Sequence, residues 1–430
     1  MEPRMNPSRR TLLGAGLLGL TGALSACGGS SSGGTAADAA GKARTLSLWC
    51  WGGGLSEQAV TDAAATLAGR AKITSTIVDG DFKQHLVTAL SSGRDVPDIT
   101  GVKGEDMPVF LTKADEFLDL NPLGASQQAS SFAAAKYAQA TTPSGKQIGL
   151  PIDLGPTAIF YRSDLWDKAG LPSDPTEVGE LVTTWDDWFA VARKLKKALP
   201  GSFAIRSSGD VFSLALAQQA ESFVARNGAF IGAGGGVKEA WDLAMRSIAD
   251  GVQAGIYNSS AWNAGLASGQ FTAHIGPAWN GLDIEAGAPL TSGYWRVAPS
   301  PGGPANIGGS YLTIPKVSRD PETAFAFINE LLSPVNQAKG FADASLFPAR
   351  TAAYALPALT QGQEFFGGQS TIEVFGPAAE HLPNVYESPL NAAVNASYIA
   401  ELSNVEGGKD PVKAWKDAVE AGSVTAGASS

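Results

Sequence analysis

Apolar positions along this chain switch between strand-like runs and helical spacing. Thr45 to Trp51 is rich in strand formers and ends at Gly52, Gly53 and Gly54. Ser56 then stands where it can cap a helix whose Val60, Ala63, Ala64 and Leu67 recur on one face. Lys72 to Val78 predicts a second strand. Asp81 caps a helix bearing Phe82, Leu86, Val87 and Leu90 that Gly93 stops, and Asp98, Ile99 and Thr100 predict a short third strand. Farther on, Trp185, Trp188, Phe189, Ala192 and Leu195 share a helical face that begins after Thr184, a stripe read as core packing rather than a ligand box. Asp320 before Pro321 and Asp410 before Pro411 each place a capping aspartate ahead of proline at the first helical position. The helices that follow carry Phe325, Ile328 and Leu332 in one case and Val412, Trp415 and Val419 in the other. The alternation predicts α/β layers on parallel, doubly wound sheets, and no internal repeat interrupts it.

The N-terminus follows a different pattern. Arg4, Arg9 and Arg10 precede an uncharged, mostly apolar stretch from Leu12 to Ala26, shorter than the ~20 residues a spanning helix needs. Paired arginines in Ser8-Arg9-Arg10-Thr11 resemble a twin-arginine export signal, and Leu24-Ser25-Ala26-Cys27 resembles a bacterial lipobox. Residues 1–26 are then a signal peptide, and Cys27 is acylated on its sulfur as the mature N-terminus. The alternative, a disulfide with Cys50, suits an oxidising compartment but is removed by acylation. Residues 27–44 read as a flexible tether, since Gly28 to Gly41 holds only Gly, Ser, Ala, Thr and one Asp.

Composition narrows the picture. The 430 residues, 44% of them hydrophobic and two of them Cys, allow two or three lobes with cores of their own and exclude a disulfide-stapled miniprotein. Net charge is −10, and cleavage before Cys27 removes Glu2 with Arg4, Arg9 and Arg10, a net +2, leaving −12. With no basic cluster, a nucleic-acid partner is disfavoured. Catalytic constellations are scarce. His85, His274 and His381 lie in unrelated contexts with no metal-ligand spacing, so no metal and no cofactor is called for. Cys50 sits in the first strand beside Trp49 and Trp51 as a small apolar group with nothing near to lower its pKa. The triple glycine lacks the ending of a phosphate loop. Neither Asp186 with Asp187 nor Glu105 with Asp106 has, by adjacency, the separation glycosidase chemistry requires.

The ordered blocks carry a resemblance. Leu46 to Trp51, then Val96, Pro97, Asp98 and Ile99, then Gly149 to Pro156 running into Ile159 to Leu165, resemble a family 1 extracellular solute-binding protein, the sugar receptors of ABC importers. Gly269 to Trp279, Gly308 to Pro315, Asp320 to Ile328 and Phe347 to Arg350 are similar to later blocks of that family, and the likeness spans about 45 to 420. It departs from the maltodextrin-binding branch at Gly155, where that branch carries a carboxylate, and at Val102, where it has an aromatic; this argues against maltodextrin. The resemblance implies an α/β, two-lobed periplasmic-binding-protein-like fold with a hinged interlobe cleft. The N-terminal lobe would take 45–153 and 312–352, and the C-terminal lobe 154–311 and 353–430. The chain would cross near Asp153 to Gly155, near Gly308 to Tyr311 and again near Arg350. The implied protein is a monomeric lipoprotein outside the cytoplasm, anchored to the cell membrane by its lipid. It would capture a sugar or oligosaccharide and deliver it to the permease subunits of an ABC transporter, without being an enzyme.

Sugar chemistry independently restricts the ligand-binding candidates. A pyranose offers apolar C–H faces and a ring of hydroxyls, so its site needs flat aromatics and polar groups that satisfy each buried hydroxyl. Trp51, at a strand end, and Trp279, after Gly276 and Pro277, are the stacking candidates, with core packing as the alternative; Trp49 reads as core. Asp153 can bridge hydroxyls at the crossing or cap local amides. Lys103, Glu105 and Asp106 follow a strand, where the family places polar sugar contacts, or form a solvated turn. Asn280, Ser310, Tyr311 and Arg350 carry suitable donors within family blocks, whereas Asp98 reads as structural. A secreted polysaccharide-acting hydrolase or lyase shares the leader and aromatic content but should show a catalytic pair, and none is visible. A ferric-ion receptor needs clustered tyrosines, and the eight here are scattered.

Overall fold

The computed structural model describes residues 44–427, so the lipobox with Cys27 and most of the tether lie outside the described residues. Nine strands are found among the described residues: β1 (Arg44–Cys50), β2 (Ala71–Ile77), β3 (Ile99–Lys103), β4 (Gly149–Leu154), β5 (Thr157–Arg162), β6 (Ala273–Pro277), β7 (Trp295–Pro299), β8 (Ser310–Thr313) and β9 (Phe347–Pro348). They build one sheet in the order β2-β1-β3-β8-β4-β9 and a second in the order β6-β5-β7.

Local signals in the sequence set many of the helix ends. The Ser56 hydroxyl accepts the Ala59 N–H at the start of Glu57–Thr66. Asp81 caps Phe82–Ser92, which ends at Gly93 with φ 65°. Thr184 and Asp187 cap one another's backbone over Trp185–Ala198, and Trp188, Phe189, Ala192 and Leu195 from that helix fill a core against β5. Asp320 and Asp410 cap Pro321–Leu331 and Pro411–Thr425.

The expectation of parallel sheets holds only in part. β1 pairs parallel to β2 and β3, where strand and helix alternate locally. β8 then runs antiparallel between β3 and β4, β9 is antiparallel to β4, and every pair of the second sheet is antiparallel. The reason is topological: β8 and β9 come back to the first sheet from elsewhere in the chain instead of through a local strand-helix-strand crossover, which would force parallel pairing.

Two crossings between the sheets run side by side. One is Gly155 and Pro156, between β4 and β5; the other is residues 300–309, between β7 and β8. Ile307 N–H donates to the Gly155 carbonyl at 2.9 Å, Thr157 N–H to Ala305 at 3.0 Å, and Gly155 N–H to Asn306 Oδ1 at 2.8 Å. A Cβ at Gly155 would run into the Ile307 carbonyl, so the crossings can be this close only without a side chain there. That excludes the carboxylate found here in the maltodextrin branch. Gly308 and Gly309 both adopt positive φ, 75° and 78°, at the end of the second crossing.

Beside the second sheet, helices Ser208–Ala217, Gly235–Ala249, Asn391–Glu406 and Pro411–Thr425 enclose their own aromatic core of Phe212, Phe223, Trp241 and Tyr398. The rings of Phe212 and Tyr398 stack at 5.9 Å. This bundle fixes the inner face of Asn391–Glu406, which matters for the cavity.

Candidate functional site

Where the crossings meet the helical bundle the structure leaves a cavity of about 250 Å³, near the lower edge of the ~300 to 1,000 Å³ usual for small-molecule sites. Three parts of the chain line it. From the first sheet's side come Glu105, in the turn after β3, with Lys136 and Gln139; from the crossing, Asn306 to Gly308; from the bundle side, Ser222, Phe223, Glu387, Asn391 and Asn395.

Lys136 is the electrostatic centre. It lies on the short helix Ala134–Ala138 and is only 2% exposed. Its Nζ donates to the Gly308 carbonyl at 2.8 Å and sits 4.6 Å from the centroid of the Tyr311 ring. Burial pushes the amine down to about 8, while Asp153, Glu105 and Glu387 pull it back up. A Cβ on Gly309 would come 2.8 Å from this Nζ and 2.6 Å from the Asp153 carbonyl, so the glycine makes room for the ammonium.

Asp153 stands one residue from the end of β4, just after a register shift between Pro151 and Asp153, and it pairs with Ser310. The bulge re-aims its side chain inward. Burial raises the carboxyl to about 6, against the attraction of Lys136 and the contacts from Ser310, and Oδ1 has no hydrogen-bond partner. Glu387 differs, because much of its surface reaches water while protein surrounds it. That enclosure raises its carboxyl, and the Asn391 hydrogen bond and Lys136 lower it. Asn391 and Asn395 each hold a buried Oδ1 without a partner. The cavity therefore has hydrogen-bonding valence that the protein leaves unspent, at a cost that a polar ligand would remove.

The sequence matches the family described as bacterial extracellular solute-binding protein over residues 63–367. The chain belongs to that family. A lactose-binding protein of Rhizobium radiobacter is 24% identical over 384 residues, covering 83% of this chain and 87% of that protein. A crystal structure of an extracellular solute-binding protein family 1 superposes with a TM-score of 0.82 at 29% identity, covering 89% of this chain and all of the other. The galacto-N-biose-/lacto-N-biose I-binding protein of a Bifidobacterium longum ABC transporter, solved with lacto-N-biose, shares the fold, with a TM-score of 0.73 at 22% identity over 91% of this chain and 99% of that one. The two-lobed α/β architecture is thus that of a solute-binding protein.

Several of the sequence candidates gather around Lys136 in this solute-binding protein. Glu105 lines the cavity, Asp153 lies beneath it, and Ser310 is buried opposite Lys103 and Asp153. Tyr311 is fully buried, and its hydroxyl shares its one hydrogen between the Lys136 carbonyl and Gln139 Oε1, both at 3.0 Å, so it shapes the floor under Lys136. Trp279 is half-buried with its ring laid over Gly155 and Gly308, beside the cavity but not on its wall. Trp51, also half-buried, meets Phe82 edge-on at 5.1 Å and carries Lys103 Nζ 5.3 Å from its ring. Asp106 is buried in an ion pair with Lys83 at 2.9 Å.

Two candidates are elsewhere. Asn280 Oδ1 accepts from His274 Nε2 at 3.0 Å, and its Nδ2 donates to Asp283 at 2.9 Å. Arg350 donates to the Leu332 carbonyl and to Ser131 Oγ, both at 2.6 Å, and to Gln128, and it lies 4.2 Å over the Phe132 ring. These bonds tie both side chains into the fold, and neither residue lines the cavity. Burial of the Cys50 thiol pushes it up to about 12, which keeps it neutral.

Sequence reasoning missed Lys136, Asn306, Glu387, Asn391 and Asn395. One signal was available: Lys136 is the only charged residue between Asp119 and Lys146. Another was the i, i+4 spacing of Asn391 and Asn395, which puts both on one helical face.

Proposed function

We propose that this solute-binding protein captures a sugar or short oligosaccharide in the cavity beside its crossings and delivers it to the permease of an ABC importer. A few polar groups set in a largely apolar lining, with acceptors left unpaired at Asn391 and Asn395 and two ammonium hydrogens of Lys136 not used by Gly308, carry the reading. A ligand dense in hydroxyls both donates and accepts, and so matches that lining. Relatives that bind lactose and lacto-N-biose support a saccharide. Closure of the two lobes about the crossings would conceal the ligand and present a shape the permease can distinguish. The protein binds without transforming its ligand. Trp279 and Trp51, with Lys103, Glu105, Asp106, Asp153 and Ser310, are proposed to contribute as the lobes close. Lipid on Cys27 is proposed to hold the protein at the outer face of the membrane; Cys27→Ser protein should then leave the membrane fraction.

A thermal-shift panel including lactose, lacto-N-biose and arabino-oligosaccharides tests the sugar reading, because a ligand bound by the native state alone raises the melting temperature. At least one sugar should shift it. For that sugar, calorimetry of Trp279→Ala should show a loss of roughly ten- to a hundred-fold in affinity, the scale of a lost stacking contact by analogy with base stacking on aromatics. A panel with no shift defeats the proposal.

A further inference from the structure

Asn391 opens the helix Asn391–Glu406, is 6% exposed and faces the cavity. Its Nδ2 donates to Ser222 Oγ at 2.8 Å and to Glu387 Oε2 at 3.1 Å. A carboxylate can only accept, so the amide nitrogen must face Glu387, and this fixes the carbonyl end of the side chain. That Oδ1 is buried and has no partner. One turn on, Asn395 lines the same cavity and its Oδ1 is likewise buried and unpaired. Glu387 supplies a carboxylate to this wall and Glu105 a second one to the opposite side. Lys136, the one cation among the lining residues, gives one ammonium hydrogen to Gly308 and enters the cavity from the first sheet's side with Glu105, apart from this wall.

We propose that the wall of Glu387, Asn391 and Asn395 sets ligand specificity by accepting hydrogen bonds. The protein takes sugars that present hydroxyl or ammonium donors to this wall and rejects sugars that present a carboxylate or phosphate. This rests on the sugar reading above. The two carbonyl oxygens each gain a partner from a donor group, whereas an anion docked on this wall would face them and the Glu387 carboxylate, a repulsion that outweighs the Asn395 amide N–H groups beside them. Selectivity then comes from repulsion as much as from attraction.

The test is thermal shift and calorimetry on the mature chain. Lactose, lacto-N-biose, arabino-oligosaccharides and cellobiose serve as neutral probes, the β-1,4-linked glucosamine disaccharide as the ammonium probe, and digalacturonate and galactose 6-phosphate as anionic probes. A shift from neutral or ammonium probes with none from anionic ones is expected. The largest shift coming from an anionic probe overturns the inference and leaves the sugar reading standing; no shift from any probe overturns both. With the best probe, Asn395→Leu should weaken binding at least tenfold while the ligand-free melting temperature stays within a degree or so of wild type, because its Oδ1 has no protein partner to lose. Glu387→Gln, at a position that reaches water, gives a second reading if Asn395→Leu does not fold: anionic probes should begin to bind, or the ammonium probe should lose more affinity than the neutral ones. Glu387→Gln binding every probe as wild type does, with Asn395→Leu either doing the same or failing to fold, overturns the assignment.

Discussion

Asp98 stands just before β3 and Asp153 within β4 of the same sheet, and each is only 2% exposed, yet the fold treats them in opposite ways. Asp98 receives Ser47 N–H at 2.8 Å, Ser47 Oγ at 3.0 Å, and the backbone N–H and Nε of Arg319 at 3.0 Å each, with a further guanidinium nitrogen close by. Burial alone would raise its carboxyl, but these donors outweigh burial and hold it at about 2. Asp153 lies deeper in the protein, with Oδ1 unpaired, and its carboxyl rises to about 6. Depth of burial and the supply of donors together decide the charge state of each carboxylate: Asp98, nearer the surface, has donors enough to hold its charge, and Asp153, set beneath the cavity, does not.

The sharpest way to break the comparison is Asp98→Ala. It leaves Ser47 and Arg319 donors unpaired and should cost about 2 to 4 kcal/mol of unfolding free energy in denaturant at pH 7. Loss of less than about 0.5 kcal/mol would mean that the Asp98 network is dispensable. For the wild type, a carboxyl lowered to about 2 from an ordinary 3.8 contributes stability that is complete above pH 4 and is lost as pH falls through 2.

Lys136→Met should come next. It leaves Asp153 without its buried cation, so the carboxyl rises further, and about 1 to 3 kcal/mol should be lost at pH 7, where the carboxylate is uncompensated. Most of that loss should vanish at pH 5, where Asp153 is protonated. Adding Asp153→Asn to Lys136→Met should return stability at pH 7 to within about 1 kcal/mol of wild type, a coupling that a double-mutant cycle reads directly. A loss that is the same at both pH values would separate Lys136 from Asp153.

The smallest effect is expected for Asp153→Asn alone, within about 1 kcal/mol of wild type at pH 7. Its signature lies in the slope. A carboxyl raised from 3.8 to about 6 binds a proton more tightly in the native state, so its contribution is complete below pH 4 and is lost as pH rises through 6. Urea midpoints of wild type minus Asp153→Asn should fall across that window, and a flat difference would contradict the raised carboxyl. Lys136 acts with the opposite slope: its amine is lowered from 10.5 to about 8, so stability is gained as pH rises from 8 towards 10.5.

Those features of the protein whose causes are local could be read from its residues. Caps at Ser56, Asp81, Thr184, Asp320 and Asp410, the stop at Gly93 and the apolar stripe of Trp185–Ala198 each depend on residues within a turn or two of one another, and all were legible. The ordered family blocks made the two-lobed fold legible as well. Tertiary structure alone decided the direction of β8 and β9 in the first sheet, because antiparallel pairing there depends on where the chain returns from, hundreds of residues after β1. It also decided which polar residues are free to act. Tyr311 and Arg350 have the right chemistry in sequence, but their donors are consumed by Lys136, Gln139, Leu332, Ser131 and Gln128. Lys136 and Asn391 lie more than 250 residues apart and become one cavity only when the crossings and the helical bundle are packed. A side chain's unspent hydrogen bonds are a property of its neighbours in space, and no local pattern in the chain encodes them.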